Sequence, residues 1–308
     1  MSLFAPKIPP MDTTPSDNSL KNWTLLVVLT LIWGSSFILI KRGLEVFSPG
    51  EVGAYRMVAA ASILLPLSLP RLRQLSKTQV KNLLVTGMLG SFIPAFLFPI
   101  AQTQLSSSLA GVLNALTPLF VVISGALFFN TSITKRNGIG MVIAFLGVLV
   151  LVTVKDGGGW DSLSQINSYA LYIIAACICY SFNLHFIKAR FTKLKSIEIS
   201  SISLLMILPF ALIYLFGGTQ FSYKLATNPD AWEALGYITL LGMGGTAAAL
   251  VIFNIMIKNA SPFFASLVTY TLPIVAIMWG VLDGEVLLLG HYFGIAAVIL
   301  GVWIGNRK

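Results

Sequence analysis

The chain reads as an all-α integral membrane protein, with ten transmembrane helices in two inverted five-helix repeats. Three observations predict this. Apolar residues make up 56% of the 308, charged residues only 10%, and mean hydropathy is +0.85, against about 25% charge in a soluble domain. Landmarks of the first half recur in the second. Lys41 lies eight residues after Trp33 and Lys188 eight after Tyr180; Gly125 follows Pro118 by seven and Gly280 follows Pro273 by seven. Leu146-Gly147-Val148, seven on from Gly140, matches Leu300-Gly301-Val302, seven on from Gly294, so the repeat offsets are 147, 155 and 154. Finally, the charges sort by side.

A span needs roughly 20 apolar residues. The head, 1–20, contains Pro6, Pro9, Pro10 and Pro15 and reads as a disordered cytoplasmic tail without a cleavable signal. The spans predicted in the first repeat (21–154) are 23–41, 50–69, 81–103, 107–129 and 138–154. No charge occurs from Asn82 to Thr134, a stretch long enough for two spans around the polar break Gln102–Ser108. The segment 155–166, with Gly157, Gly158 and Gly159, is the expected linker. The second repeat (167–308) holds predicted spans 167–187, 197–216, 232–256, 261–282 and 289–305. The charge-free runs Ala234–Ile257 and Asn259–Leu282 mark two of these.

With the N-terminus cytoplasmic, cytoplasmic segments carry fifteen of the twenty basic residues and the opposite side four: Lys41, Arg42, Lys155 and Lys224. This satisfies the positive-inside rule and gives N-in/C-in. The formal charge of +9 then needs lipid headgroups, not nucleic acid, as its partner. Five spans per repeat is odd, so the second repeat enters the membrane inverted. Lys135 and Arg136 follow the fourth span where Asp283 and Glu285 follow the ninth, basic inside and acidic outside. Cys177 and Cys179 lie about 200° apart on a helix, which suits small apolar packing and disfavours a disulfide or a metal site.

The run Trp33-Gly34-Ser35-Ser36-Phe37, Arg56 in the second span, Pro118 and Pro273 in the fourth and ninth, and the Gly-rich fifth and tenth spans together resemble the drug/metabolite transporter superfamily, specifically its ten-helix EamA-type transporters. The resemblance covers 23–305. Asn130 departs from the acidic residue usual after the fourth helix, whereas Asp283-Gly284-Glu285 keeps to pattern. It implies export of amino acids or related metabolites by alternating access across the bacterial inner membrane.

A proline inside a helix removes a donor and frees the carbonyl four residues back. Pro118 is expected to free Asn114 and Pro273 to free Thr269, near mid-membrane in equivalent helices. Pro94 and Pro99 act likewise in the third span. Polar groups at similar depth are Asn114, Thr117, Thr269, Tyr270 and Thr271, with Asn254 nearer the cytoplasm; each suits either ligand contact or interhelical bonding. Trp33, Ser35 and Ser36 correspond to Tyr180 and Asn183, and line one cavity from both sides or pack as a core. Arg56, six residues or roughly 9 Å inside its helix, either faces the cavity and holds a carboxylate or snorkels towards Glu51 or Glu45. The expected substrate-binding set is Trp33, Ser36, Arg56, Asn114, Thr117, Pro118, Tyr180, Asn183, Thr269, Tyr270 and Pro273. His185 reads as an interfacial histidine with a structural hydrogen bond. The glycines of the fifth and tenth spans permit close approach, within the bundle or to a second protomer; monomer and homodimer both remain open.

No acidic residue lies deep in a span, so proton coupling lacks its usual carboxylate. No Lys or Arg occurs from Asn259 to Asn306, which disfavours phosphorylated substrates. A small neutral or zwitterionic metabolite with an apolar part fits better; a drug exporter, a passive channel or facilitator, and a non-transporting scaffold or receptor are the alternatives. HExxH, GxSxG and P-loop motifs are missing and there are two histidines, so no enzyme, catalytic residue, metal or cofactor is expected.

Overall fold

The computed structural model describes residues 20–72, 74–129, 134–153, 167–191, 194–259 and 268–306. The head, the linker, Asn130 and the start of the ninth predicted span lie outside them. The described residues are helical, without strands. We number the helices α1 (Leu20–Leu44), α2 (Pro49–Leu72), α3 (Lys77–Gln102), α4 (Ser107–Phe128), α5 (Lys135–Thr153), α6 (Ala170–Arg190), α7 (Ser196–Gly217), α8 (Ala231–Met256), α9 (Val268–Leu282) and α10 (Leu289–Asn306). Seven of these, α1 to α4 and α6 to α8, are long and apolar enough to cross a membrane; α9 and α10 are shorter apolar helices. A short helix, Phe221–Thr227, follows α7.

Helix neighbours come in matched sets. α1 packs on α9 as α6 packs on α4; α1 also packs on α8 as α6 packs on α3; α2 meets α8 as α7 meets α3. α2 and α7, α4 and α9, and α5 and α10 pair with each other. Exchanging helix n with n+5 leaves this pattern unchanged, as expected of a duplicated five-helix unit.

Polar ties fix α2 against α7. Glu51 at the start of α2 meets Lys224 just past α7 at 2.7 Å, and Arg71 at the end of α2 meets Glu198 at the start of α7 at 3.1 Å. The two helices therefore run antiparallel. Each glutamate also caps its own helix: Glu51 accepts from the Ser48 amide and Glu198 from the Lys195 amide.

α5 and α10 meet through glycine. A methyl at Gly147 would lie 2.7 Å from the Val298 nitrogen, and Gly140 sits directly against Gly301 and Gly305. The small-residue faces are thus filled inside one chain. In a lipid environment such close contact supplies the dispersion energy that hydrophobicity cannot.

Three helices depart from regular α geometry, and all three departures face the centre. α3 carries a π-helical segment at Met88–Phe92 and α8 one at Leu241–Ala248. Residues 90 and 91 match 245 and 246 at the repeat offset of 155. α4 is broken between Asn114 and Thr117, and Pro118 opens its second piece at a position that needs no amide donor.

Candidate functional site

A cavity of about 130 Å³ lies where the two halves meet, comparable with the ~150 Å³ that admits a six-carbon ring. Its walls come from α1, α2, α3, α4, α6, α8 and α9. Much of the lining consists of repeat-related pairs. At the offset of 147 these are Trp33/Tyr180, Ser36/Asn183, Phe37/Leu184 and Ile40/Ile187; at 155 they are Gly90/Gly245, Ser91/Thr246, Phe98/Phe253 and Asn114/Thr269. The cavity is thus lined by matching positions of both halves.

The pairing extends to contacts. Trp33 packs on Phe253 with ring centroids 5.0 Å apart, and its counterpart Tyr180 packs on Phe98 at 6.2 Å. Gly245 admits the Ser36 side chain just as Gly90 admits that of Asn183. Gly242 lets α8 close on the Arg56 carbonyl, and Gly87 lets α3 close on the Ser203 carbonyl. The Trp33 indole donates to the Gly245 carbonyl at 3.0 Å, satisfying a backbone acceptor inside the π segment.

Arg56 is 9% exposed and lines the cavity. Its Nε donates to the Thr246 hydroxyl at 2.6 Å. Among the described residues it makes no ion pair. Glu51 is engaged by Lys224 and Glu45 by Arg42 at 2.8 Å, so both snorkelling partners are taken. A buried charge without a counter-ion is costly, and in an apolar bundle that cost points to function.

Two carboxamides line the same cavity. The Oδ1 atoms of Asn114 and Asn183 are buried and accept no hydrogen bond among the described residues, although both side chains line the cavity. The cavity is thus lined by a guanidinium group, two carboxamide side chains, and apolar walls from Phe37, Met57, Phe98, Leu250, Phe253 and Leu272.

Nine of the eleven sequence-predicted residues line this cavity: Trp33, Ser36, Arg56, Asn114, Thr117, Pro118, Tyr180, Asn183 and Thr269. Tyr270 and Pro273 do not. On α9 the inward face is Thr269 and Leu272, and each of the other two lies about 100° further round the helix. The Tyr270 hydroxyl donates to the Val302 carbonyl at 3.1 Å, tying α9 to α10. Pro273 is buried within a helix that runs on through it, whereas α4 is interrupted just before Pro118. The Asn114 carbonyl, expected to be free, accepts from the Thr117 hydroxyl at 2.8 Å. Ser35 turns out to Trp279 and Thr271 pairs with Thr30. His185 bonds the Val121 carbonyl at 2.9 Å and stacks on Phe129. Asn254 lines the cavity and donates to Ser200. The sequence reading missed Gly90, Ser91, Gly245 and Thr246; the cluster Gly242-Met243-Gly244-Gly245-Thr246 inside an apolar helix was the available signal.

Beyond the Ile40 end of the cavity the chain is stitched together. Lys41 meets Asp283 at 2.5 Å and Glu285 at 3.4 Å, and Arg42 also pairs with Asp283. Glu285 accepts from the Ser107 and Ser108 amides at 2.7 and 3.0 Å and from the Ser108 hydroxyl at 2.6 Å, occupying the N-terminus of α4. Gly284, at φ 84°, makes the left-handed turn that aims Glu285 there. Burial alone would raise the Glu285 pKa; the serine donors and Lys41 outweigh it and hold the carboxyl below the usual 4.5.

The family model for EamA-like transporters matches this chain twice, over residues 21–153 and 167–307. The chain belongs to the EamA-like transporter family. The two matches fall one on each half, and the sequence relatives agree. An uncharacterized transporter of Archaeoglobus fulgidus is 25% identical over 293 residues, covering 94% of this chain and all of the relative. The uncharacterized inner membrane transporter YedA of Escherichia coli K12 is 26% identical over 282 residues, covering 90% of this chain and 88% of YedA. One solved crystal structure superposes with a TM-score of 0.62 at 16% identity, over 92% of this chain and 96% of the other, and shows the same fold. The protein is therefore a multi-pass membrane protein with a transport role and not an enzyme.

Proposed function

We propose that this protein is an alternating-access carrier of the bacterial inner membrane that exports small neutral or zwitterionic metabolites, amino acids foremost. The observation that carries this reading is a central cavity lined by a buried arginine, without an ion pair among the described residues, and by the carboxamides of Asn114 and Asn183. A carboxylate suits Arg56, an ammonium group suits the Asn114 and Asn183 oxygens, and an apolar side chain suits the aromatic walls. Trp33, Ser36, Thr117, Pro118, Tyr180 and Thr269 complete the proposed contact surface.

Ten spans, N-in and C-in, follow from the fifteen-to-four charge distribution, and an inverted second half follows from five helices per repeat. In this arrangement α5 and α10 are scaffold, and one bundle rocks against the other about the cavity. Export rather than uptake rests on the family resemblance. YedA, named as an inner membrane transporter, supports the location.

Counterflow in proteoliposomes tests the reading. Vesicles loaded with unlabelled amino acids, nucleosides and polyamines receive each labelled compound outside, without a proton gradient. Transient accumulation of amino acids is the expected result. Flux that neither saturates nor responds to internal substrate would make this a channel. The Glu285 network spanning the ends of α1, α4 and α9 speaks against that alternative. Saturable accumulation of hydrophobic cations in place of amino acids would make it a drug exporter.

A further inference from the structure

Among the described residues one side-chain hydrogen bond anchors Arg56, and the identity of the atom in that bond matters. A guanidinium can grip a carboxylate through Nε and one Nη, or through both Nη groups. Here the Thr246 hydroxyl occupies Nε at 2.6 Å. The side-on grip is blocked, and the two Nη groups are left for the cavity.

Thr246 is itself held in place. Its hydroxyl reaches the Leu241 carbonyl, five residues back, at 3.4 Å, the spacing of a π turn. The adjacent Gly245 carbonyl is held by the Trp33 indole. One turn earlier, Gly242 brings α8 against the Arg56 backbone, so Thr246 meets the Arg56 side chain. Simple packing does not require this arrangement. In the other half, the equivalent of Arg56 is Ser203, which donates to Ser200 on its own helix, and the equivalent of Thr246 is Ser91. The same backbone crossing stands there without the link.

We propose that Thr246 is a positioning residue: it fixes Arg56 so that a substrate carboxylate must bind end-on to the two Nη groups, and so sets the preference for acids over their amides. This rests on the amino-acid reading above, and the test separates the two. Reconstituted wild-type carrier is screened in counterflow with the common amino acids. The best of them is then compared with its own amide in wild type, Thr246→Val and Thr246→Ser.

Thr246→Val is expected to raise KM for the acid about tenfold with maximal rate within twofold, to change the amide much less, and so to collapse the acid/amide ratio. Thr246→Ser, which keeps the hydroxyl, is expected to stay within threefold of wild type. Equal loss for acid and amide, a serine variant as impaired as the valine one, or failure of both Thr246→Val and Thr246→Ala to fold would overturn the proposal while leaving the carrier reading intact. A wild-type protein that carries no amino acid would overturn both.

Discussion

At position 56 the first half carries an arginine; at the matching position 203 the second half carries a serine. The backbones there are alike, each crossed by a glycine of the neighbouring helix, Gly242 or Gly87. The same contrast holds around the cavity. π segments, aromatic pairs and glycine contacts are duplicated, while Arg56/Ser203, Asn114/Thr269 and Ser36/Asn183 differ. On the alternating-access proposal, two halves that rock against each other need matched helix geometry, because each half would make in one state the contacts its partner makes in the other. Recognition of an asymmetric molecule needs different groups on the two sides. The molecule therefore keeps its symmetry in the backbone and abandons it in the side chains.

The sharpest way to break the comparison is to erase its charged member. Arg56→Gln should reduce kcat/KM for carboxylate-bearing substrates at least a hundredfold, since charge-assisted bidentate bonds are among the strongest available, with a much smaller loss for neutral analogues. Uptake assays on an acid and its amide measure both. Equal losses would make Arg56 a structural residue. Transferring the cation, with Arg56→Ser and Ser203→Arg together, should not restore the acid, because Asn114 and Thr246 remain where they were.

Next in size is Asn114→Ala, expected to weaken substrate affinity about tenfold with folded protein retained. Its Oδ1 has no partner among the described residues, so truncation removes no bond seen there and stability should hold. Thr269→Ala, at the matching position, should do less. An Asn114 variant with unchanged affinity and rate would remove that residue from the site.

The ends of the cavity offer a second comparison. Glu285 grips α4 and Lys41 on one side. Glu285→Gln should lower thermal stability in detergent, by at most about 1.5–3 kcal/mol for weakened charge-assisted bonds. The sign with pH is fixed by the direction of the shift. A glutamate held below 4.5 when folded contributes fully above its unfolded value and loses that contribution as pH falls through the folded one. The difference in midpoint between wild type and Glu285→Gln should thus be flat above pH 5 and close in more acidic buffer. A difference that grows on acidification would assign the loop another role.

Much of this was legible in the sequence, for identifiable reasons. Helix positions follow from apolar runs and charge gaps, and the repeat from Trp33/Tyr180, Pro118/Pro273 and the glycine strings. Nine cavity residues were legible because mid-helix polar groups in an apolar span must face protein or a cavity. What escaped was azimuth. Depth alone does not distinguish Thr269 from Tyr270, and α9 turns only one of them inward. The π segments escaped as well, since an extra residue per turn leaves no periodic trace over one or two turns. The outcomes at Pro118 and Pro273 were also hidden: both remove a donor, and at Pro118 a neighbouring threonine, Thr117, takes up the Asn114 carbonyl.

The smallest expected effect tests that azimuth directly. Tyr270→Phe deletes the hydroxyl that donates to Val302 and nothing that lines the cavity. One neutral hydrogen bond is worth about 0.5–1.5 kcal/mol, and interhelical bonds in membrane proteins average about 0.6 kcal/mol, so the thermal midpoint should fall slightly. KM and selectivity should not move, because Tyr270 braces α9 on the scaffold helix α10 and Thr269 alone of the two meets the cavity. Thr269→Val, one residue away, should do the reverse and change affinity. If the two variants exchanged these outcomes, α9 would present its other face to the substrate in the working carrier.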